Sequence, residues 1–316
     1  MTFPFVPGKN IPGVILVSGS GSQDRDESIG LHKPFAVIAD HLTRNGWVVL
    51  RIDDRGIGQT TGGAPIIRIR YLEKDLRTAI NYLRKQTLIT VGQIGLIGHS
   101  EGALISFMAA RGNQDVSFVI SLAGPGIPLK QLLIDQNRSL LKSIGLTDAY
   151  INSYLGFYSQ IITKIPKCQT SQQAYLQSFD IFKKWKEKAG QEIVQATTGI
   201  KDSISEVRFI TAMSSQANSK WLTSLINESP KKYLKKLTCP VLALNGDKDF
   251  QVSSKTNLPA IRAALTFNPK TEIVELAGLN HLFQSCTTCL PAEYFSLEET
   301  ISPAVLDLIT KWFTTL

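Results

Sequence analysis

The stretch Gln93-Ile94-Gly95-Leu96-Ile97-Gly98-His99-Ser100-Glu101-Gly102-Ala103-Leu104 decides how the chain is read. Gln93 to Ile97 is a short apolar run of strand type, and Glu101 to Arg111 reads as a helix. Between them, Gly98-His99-Ser100-Glu101-Gly102 matches G-x-S-x-G. In a strand–turn–helix setting that pattern is a nucleophile elbow, whose small residues permit a strained turn that lifts the serine hydroxyl off the backbone. In any other setting it would be a Gly-rich turn with a capping serine. Ser100 is therefore the candidate nucleophile.

Outward from this stretch, strands and helices alternate. Val14 to Ser18 is a buried-strand run ending in a Ser/Gly cluster, and Trp47 to Ile52 and Val116 to Leu122 are further strands. Pro34 to Asn45 has helical spacing, with Phe35, Ile38, Ala39 and Leu42 on one face and Gly46 as a stop. Tyr71 to Gln86 repeats the pattern with Leu72, Leu76, Ala79, Ile80 and Leu83. Continuous apolar strands alternating with helices predict a mostly parallel, doubly wound α/β sheet covered on both faces. From Ile127 to Lys236 only helices and loops are legible. Strands resume at Pro240 to Asn245 and Glu272 to Leu276, with helices around Asn257 to Thr266 and Pro303 to Phe313. The division predicted is a core of 1–126 and 237–316 interrupted by a helical insertion of 127–236.

A serine hydroxyl is a weak nucleophile at neutral pH and needs a base. In a strand–elbow–helix enzyme the chain order is serine, acid, histidine. Of His32, His41, His99 and His281, only His281 follows Ser100. It lies just after a strand, on a loop at the strand's carboxyl end, where ligands gather in open α/β sheets. The acid is expected after the strand ending at Leu244, where Asp247 and Asp249 compete; Asp249, at the tip of the turn begun by Asn245-Gly246, is preferred. The oxyanion calls for aimed N–H donors. The Glu101 amide is one, and the Ser20 amide in the loop Ser18 to Asp26 is the other, with Gly19 or Gly21 as neighbouring alternatives. Gly19, Arg25 and His99 are possible substrate-site residues. The Asp24-Arg25-Asp26 run is either an ion network holding this loop or a substrate clamp, and the first is favoured.

Composition removes other classes. Lys and Arg exceed Asp and Glu by 34 to 26, giving a net charge of +8. The stretch from Ile127 to Lys236 holds 16 basic and 8 acidic residues, so the insertion carries the whole excess and the rest is neutral. Lys183, Lys184, Lys186 and Lys188 cluster, as do Lys231, Lys232, Lys235 and Lys236. A solvated helical face accounts for them; the sharper reading is attraction of anionic substrates. No nucleic-acid motif accompanies the lysines. There is no phosphate cradle, no apolar run of membrane-spanning length and no metal-ligand spacing, so no cofactor, metal or membrane span is expected. Met1 to Asn10 has no secretory pattern, which by default suggests the cytoplasm, unless the N-terminus has been trimmed. Cys286 and Cys289 form an isolated C-x-x-C, read as two thiols rather than a disulfide. Oligomeric state is not legible.

With these residues in place the core resembles the α/β hydrolases, in the bacterial serine-aminopeptidase-like carboxylesterase branch. The matching stretches are Ser18-Gly19-Ser20-Gly21 with Asp24-Arg25-Asp26, Asp53-Asp54-Arg55-Gly56-Ile57-Gly58, the elbow with Glu101, Asn245-Gly246-Asp247-Lys248-Asp249, and Gly278-Leu279-Asn280-His281-Leu282-Phe283-Gln284. The resemblance implies hydrolysis of a small-molecule ester through an acyl-enzyme by Ser100, Asp249 and His281, with the insertion as a helical cap. Aromatic residues of the insertion, Tyr154, Phe157, Phe182 and Trp185 among them, are expected to form mostly its core. An aminopeptidase or amidase, a thioesterase, and a non-catalytic ligand-binding module of the same fold are the competing readings. Similar proteins usually carry further N-terminal sequence, often with an export signal, and lack the Cys286/Cys289 pair.

Overall fold

The computed structural model describes every residue except 6–9, 63–67, 87–90, 266–267 and 269. The chain divides into two compact units. The first, Met1–Pro65, Arg70–Ile127 and Ser229–Leu316, is an α/β unit. Its elements begin with β1 (Ile11–Val17), α1 (Pro34–Arg44), β2 (Val48–Leu50), α2 (Ile69–Arg84), β3 (Val91–His99), α3 (Glu101–Ala110) and β4 (Phe118–Leu122). The six-stranded sheet also takes in two later strands, Val241–Gly246 and Thr271–Leu276, and every pairing is parallel.

Burial explains the layers. Side chains alternate along a strand, so Val14 and Leu16 share one face of β1 while Ile15 takes the other. The first face joins Ile97, Phe118, Ile120 and Leu122 with Phe35, Ile38 and Leu42 of α1 in one buried cluster. Phe118 meets the ring edges of Trp47 and Trp312, with centroids 5.8 Å away in each case. The opposite face carries Ile15 toward Leu72 and Leu76 of α2 and Ile105 of α3. Helix α3 is buried along its whole length, which suits its nearly unbroken apolar and small-residue sequence.

The second unit, Ile66–Ile69 with Pro128–Glu228, is helical. It contains α4 (Leu129–Ser143), α5 (Asp148–Lys164), α6 (Ser171–Ala189), α7 (Gln191–Thr198), α8 (Ser203–Asn218) and α9 (Lys220–Leu225). Its core sets a group of aromatic rings among aliphatic side chains. Phe157 stacks on Trp185 at 4.6 Å between centroids, and Phe182 meets both edge-on. Tyr154, Phe157, Phe182 and Trp185 are all buried, whereas Phe179 is exposed. Thr170 and Ser219 cap α6 and α9 through their hydroxyls, and Asp202 with Ser205 forms a capping box on α8. Lys184 and Lys186 of the basic cluster pair with Asp180 and Glu206.

The remaining elements return to the first unit: α10 (Lys231–Leu234), β5 (Val241–Gly246), α11 (Ser254–Ala264), β6 (Thr271–Leu276) and α12 (Pro303–Phe313). The boundary therefore falls at Glu228, not Lys236. The reason is Tyr233 and Leu234 of α10, both fully buried, with the Arg111 guanidinium 5.3 Å from the Tyr233 ring centre. The helix expected over Asn257 to Thr266 begins a turn earlier, at Ser254, and Thr266 lies outside the described residues. No helix among the described residues is long and apolar enough to cross a membrane.

With strand order β2-β1-β3-β4-β5-β6, the chain leaves β1 toward one edge of the sheet and resumes at β3 on its other side. That reversal opens a crevice at the carboxyl ends of β1 and β3. Ser18 to Asp26 leaves the end of β1, and Ser100 leaves the end of β3.

Candidate active site

The elbow is strained and tightly packed. Ser100 has φ +52° and ψ −118°, a region that L-residues rarely occupy. Its N–H donates to the Leu122 carbonyl at 2.8 Å, fixing the turn to the end of β4. Glu101 opens α3 directly behind it. Gly102 allows the helix to approach β1, because a Cβ there would sit 2.0 Å from the Val17 carbonyl oxygen. That oxygen belongs to backbone and has little room to yield. Gly102→Ala is expected to cost about 1–3 kcal/mol, as overpacking does. Urea unfolding measures it, and an unchanged midpoint would contradict the packing described.

The loops that carry Asp249 and His281 lock onto each other. Gly246 is the contact point, since a Cβ there would lie 2.0 Å from the Leu279 carbonyl oxygen. Asp247 accepts the Gly278 N–H at 2.7 Å, and the Lys248 N–H donates to the Leu279 carbonyl at 3.1 Å. Asp249 reaches the histidine instead: its Oδ2 lies 2.7 Å from His281 Nδ1. Its Oδ1 accepts the N–H groups of Gln251 and Val252, each at 2.8 Å. Both side chains are buried. A carboxylate on Nδ1 fixes the tautomer with the proton there, leaving Nε2 as the basic nitrogen. Asp249, not Asp247, is thus the carboxylate on His281.

The base's loop is held by two residues whose roles are not legible in the sequence. Asn280 Oδ1 accepts the N–H groups of Leu282 and Gln284, and its Nδ2 donates to Gln284 Oε1 at 3.0 Å. Gln284 Nε2 donates onward to the Glu299 carbonyl at 2.8 Å. Asn280 and Gln284 are fully buried. Just beyond them, Cys286 and Cys289 are joined as a disulfide with Cα atoms 4.9 Å apart, contrary to the expectation of two thiols. A sequence separation of 3 closes a very short loop, so the chain-entropy contribution is small. Replacing both cysteines by serine is expected to lower stability by no more than about 2 kcal/mol. Thermal melts of the pair variant, compared with oxidised and reduced wild type, check this.

The loop after β1 is organised by carboxylates. The Arg25 guanidinium donates to Asp53 through Nε at 3.0 Å and Nη2 at 2.5 Å, and the Arg25 backbone N–H adds a bond of 2.8 Å. These bonds hold the buried Asp53 carboxyl well below the usual carboxylate range. Asp26 pairs with Arg51, while Asp24 Oδ1 caps the N–H groups of Asp26 and Ser28 at 3.0 Å. The Asp-Arg-Asp run is an ion network, and Arg25 is engaged within it. Gly19 is engaged as well, because its N–H donates to Glu27 Oε1 at 2.5 Å. His99 is buried with both ring nitrogens in contact, Nδ1 with Glu27 at 2.9 Å and Nε2 with the His281 carbonyl at 3.0 Å. So Gly19, Arg25 and His99, read as possible substrate-site residues, are occupied by internal partners. Ser20 is exposed, and its N–H takes no partner among the described residues. Glu27, which carries no signal in the sequence, stands next to the Asp-Arg-Asp run that does.

Beside Ser18 and Gly19 lies a cavity of about 200 Å³ lined by Ile15, Ile52, Leu76 and Ile105, with Asp54 and Arg55 among its polar members. Burial pushes the Asp54 carboxyl above its ordinary range, although it accepts the Gln23 N–H at 2.9 Å. The elbow and the base's loop are neighbours, since the His99 and His281 ring centroids are 4.8 Å apart. The arrangement suits an activated serine: a hydroxyl on a strained turn, a buried histidine with its tautomer fixed, and an open amide on a glycine-rich loop.

The chain is similar to known proteins in sequence and in fold. Esterase EstD of Thermotoga maritima is 26% identical over 303 residues, covering 95% of this chain and 61% of that protein. The chain thus spans about three fifths of the length of that curated relative. An esterase of Pyrococcus furiosus superposes with a TM-score of 0.53 at 16% identity, covering 96% of this chain and 83% of that one. Est1E of Butyrivibrio proteoclasticus, with ferulic acid bound, gives 0.53 at 14% identity, covering 99% and 92%. At such identities these two structures speak for the fold, which is that of the α/β hydrolases. The family model for serine aminopeptidase, S33, matches residues 32–282, most of the chain from the helix after the glycine-rich loop to the loop of His281, and the chain belongs to that family.

Proposed function

We propose that this protein is a serine esterase that cleaves small carboxylic esters through an acyl-enzyme. The observation that carries the reading is the Asp249–His281 contact of 2.7 Å, with the His281 ring 4.8 Å from that of His99, the residue before a serine held at positive φ. In this mechanism Ser100 Oγ attacks the ester carbonyl while His281 Nε2 takes its proton. Asp249 steadies the imidazolium that forms. The Ser20 and Glu101 amides receive the oxyanion. The tetrahedral intermediate expels the alcohol, which leaves with the proton from His281. Water then attacks the acyl-enzyme with His281 again as base, releasing the acid and restoring Ser100. Every proton is returned, and no further reagent enters.

The esterase names of the curated relative and of the structural neighbours favour an oxygen leaving group over an amine. The family's description favours a second reading, an aminopeptidase built on the same residues. A panel of p-nitrophenyl esters of graded acyl length, run beside aminoacyl p-nitroanilides, separates them. The esters are expected to turn over with kcat/KM at least about 10²-fold above the anilides. Faster anilide cleavage would replace the esterase reading with the aminopeptidase one. Turnover of neither substrate would leave the thioesterase and the binding module of the same fold.

A further inference from the structure

Glu27 and His99 form a second buried acid–histidine pair, which the mechanism above does not use. Glu27 is 2% exposed and His99 is 7% exposed. The pair sits at a three-way junction. A Cβ on Gly19 would lie 2.9 Å from Glu27 Oε1, 3.4 Å from His99 Nδ1 and 3.4 Å from Ser100 Cβ. A side chain on Gly19 would press on the Glu27 carboxylate.

The hydrogen bonds constrain the protons. His99 Nε2 is 3.0 Å from the His281 carbonyl oxygen, which only accepts, so Nε2 carries a hydrogen. His99 Nδ1 is 2.9 Å from Glu27 Oε1, which also accepts the Gly19 N–H at 2.5 Å. An ionised carboxylate only accepts, so Nδ1 carries a hydrogen as well. With a carboxylate as its partner, the ring is an imidazolium. Burial opposes that charge. Glu27, the His281 carbonyl and the more distant Asp249 outweigh it and hold the His99 pKa above the ordinary histidine value. The titratable groups around the ring are thus Glu27 from the loop after β1, Asp249 after β5, and His281 after β6.

Glu27 is kept there against resistance. Its backbone has φ +52°, and its second carboxylate oxygen, Oε2, is buried without a hydrogen-bond partner among the described residues. A residue that only filled space would need neither the strained backbone nor the buried charge.

We propose that Glu27 and His99 are positioning residues. The chain Gly19 amide–Glu27–His99–His281 carbonyl sets the oxyanion loop and the base's loop at a fixed separation across the elbow that bears Ser100. This rests on the esterase reading. Gly19 precedes the Ser20 amide, and the far end of the chain is the backbone of His281 itself. A broken link leaves substrate binding intact but misplaces the groups that meet the transition state, so it lowers kcat and leaves KM.

The test compares Glu27→Gln, His99→Gln and the double variant on a p-nitrophenyl ester, with folding checked by circular dichroism. Each single variant is expected to lower kcat by about 10–100-fold, the cost of a displacement near 1 Å, with KM within about threefold. The double is expected to be no slower than the poorer single, because both changes break one chain. A second readout uses wild type alone and stands even where a variant fails to fold. Long-range 15N spectra at pH 7 are expected to show both ring nitrogens of His99 protonated. Glu27→Gln with kcat within twofold of wild type, losses that multiply in the double, or a bare ring nitrogen on His99 at pH 7 would each overturn the proposal. If wild type is active and Glu27→Gln matches it, this inference alone falls. If wild type neither hydrolyses esters nor takes a fluorophosphonate probe, the esterase reading falls and this inference goes with it.

Discussion

Ser100→Ala is expected to lower kcat toward a p-nitrophenyl ester by about 10⁶-fold and to abolish fluorophosphonate labelling. The size follows from the mechanism. Without Oγ there is no acyl-enzyme, and the oxyanion amides and binding alone leave only a small residual acceleration over water. Stability should move little, because alanine carries the same Cβ as serine at φ +52° and the Ser100 hydroxyl makes no capping bond to α3. Ser100→Gly is expected to be equally inactive yet more stable than wild type by about 1–2 kcal/mol, since only glycine takes that backbone without penalty. A gain in melting temperature together with loss of all activity would show strain kept for function. A Ser100→Ala protein that retains more than about 1% of wild-type kcat, or that still takes the probe, would end the esterase reading.

How much of this is legible in the sequence depends on whether the signal is local. The elbow is legible because strand, turn and helix each have a short-range pattern, and Pro303 to Phe313 emerges with the bounds read from its Pro start and apolar spacing. Helix α11 begins a turn before the sequence places it. Pro259 stands inside the helix in the structure. Residues 229–236 read as part of the insertion because four lysines mask Tyr233 and Leu234, whose burial against the α/β unit is a tertiary fact. Glu27 escapes notice for a related reason. Its partners, Gly19 and His99, lie 8 and 72 residues away, and nothing near it in the chain marks a buried carboxylate. The cysteines mislead because C-x-x-C spacing permits either thiols or a disulfide until the backbone brings the Cα atoms to 4.9 Å. Asn280 and Gln284 stand within a recognisable motif, but their bonds to each other depend on the sharp turn at Phe283, where φ is +60°.

Asp249→Asn and Asp247→Asn make a matched pair with opposite expected outcomes. In the first, asparagine Oδ1 still accepts the Gln251 and Val252 amides, so the loop keeps its shape. The Nδ2 group then faces His281 Nδ1, where the carboxylate oxygen stood at 2.7 Å. Two donors cannot share that contact, so His281 adopts the other tautomer and Nε2 carries the hydrogen. A protonated Nε2 cannot take the Ser100 proton, and no carboxylate supports the imidazolium. The expected loss in kcat is about 10⁴-fold with little change in stability. In Asp247→Asn, Oδ1 still accepts the Gly278 N–H, the bond of 2.7 Å that pins the two loops. Asp247 makes no contact with the base, and its Lys248 neighbour at 3.3 Å is half exposed, so the lost ion pair is worth little. The expected change in kcat is below about threefold. Steady-state kinetics on one ester, with both variants shown to be folded, decide it. Near-normal activity in Asp249→Asn, or a collapse in Asp247→Asn, would mean that the carboxylate seen on His281 is not the one that supports it during turnover.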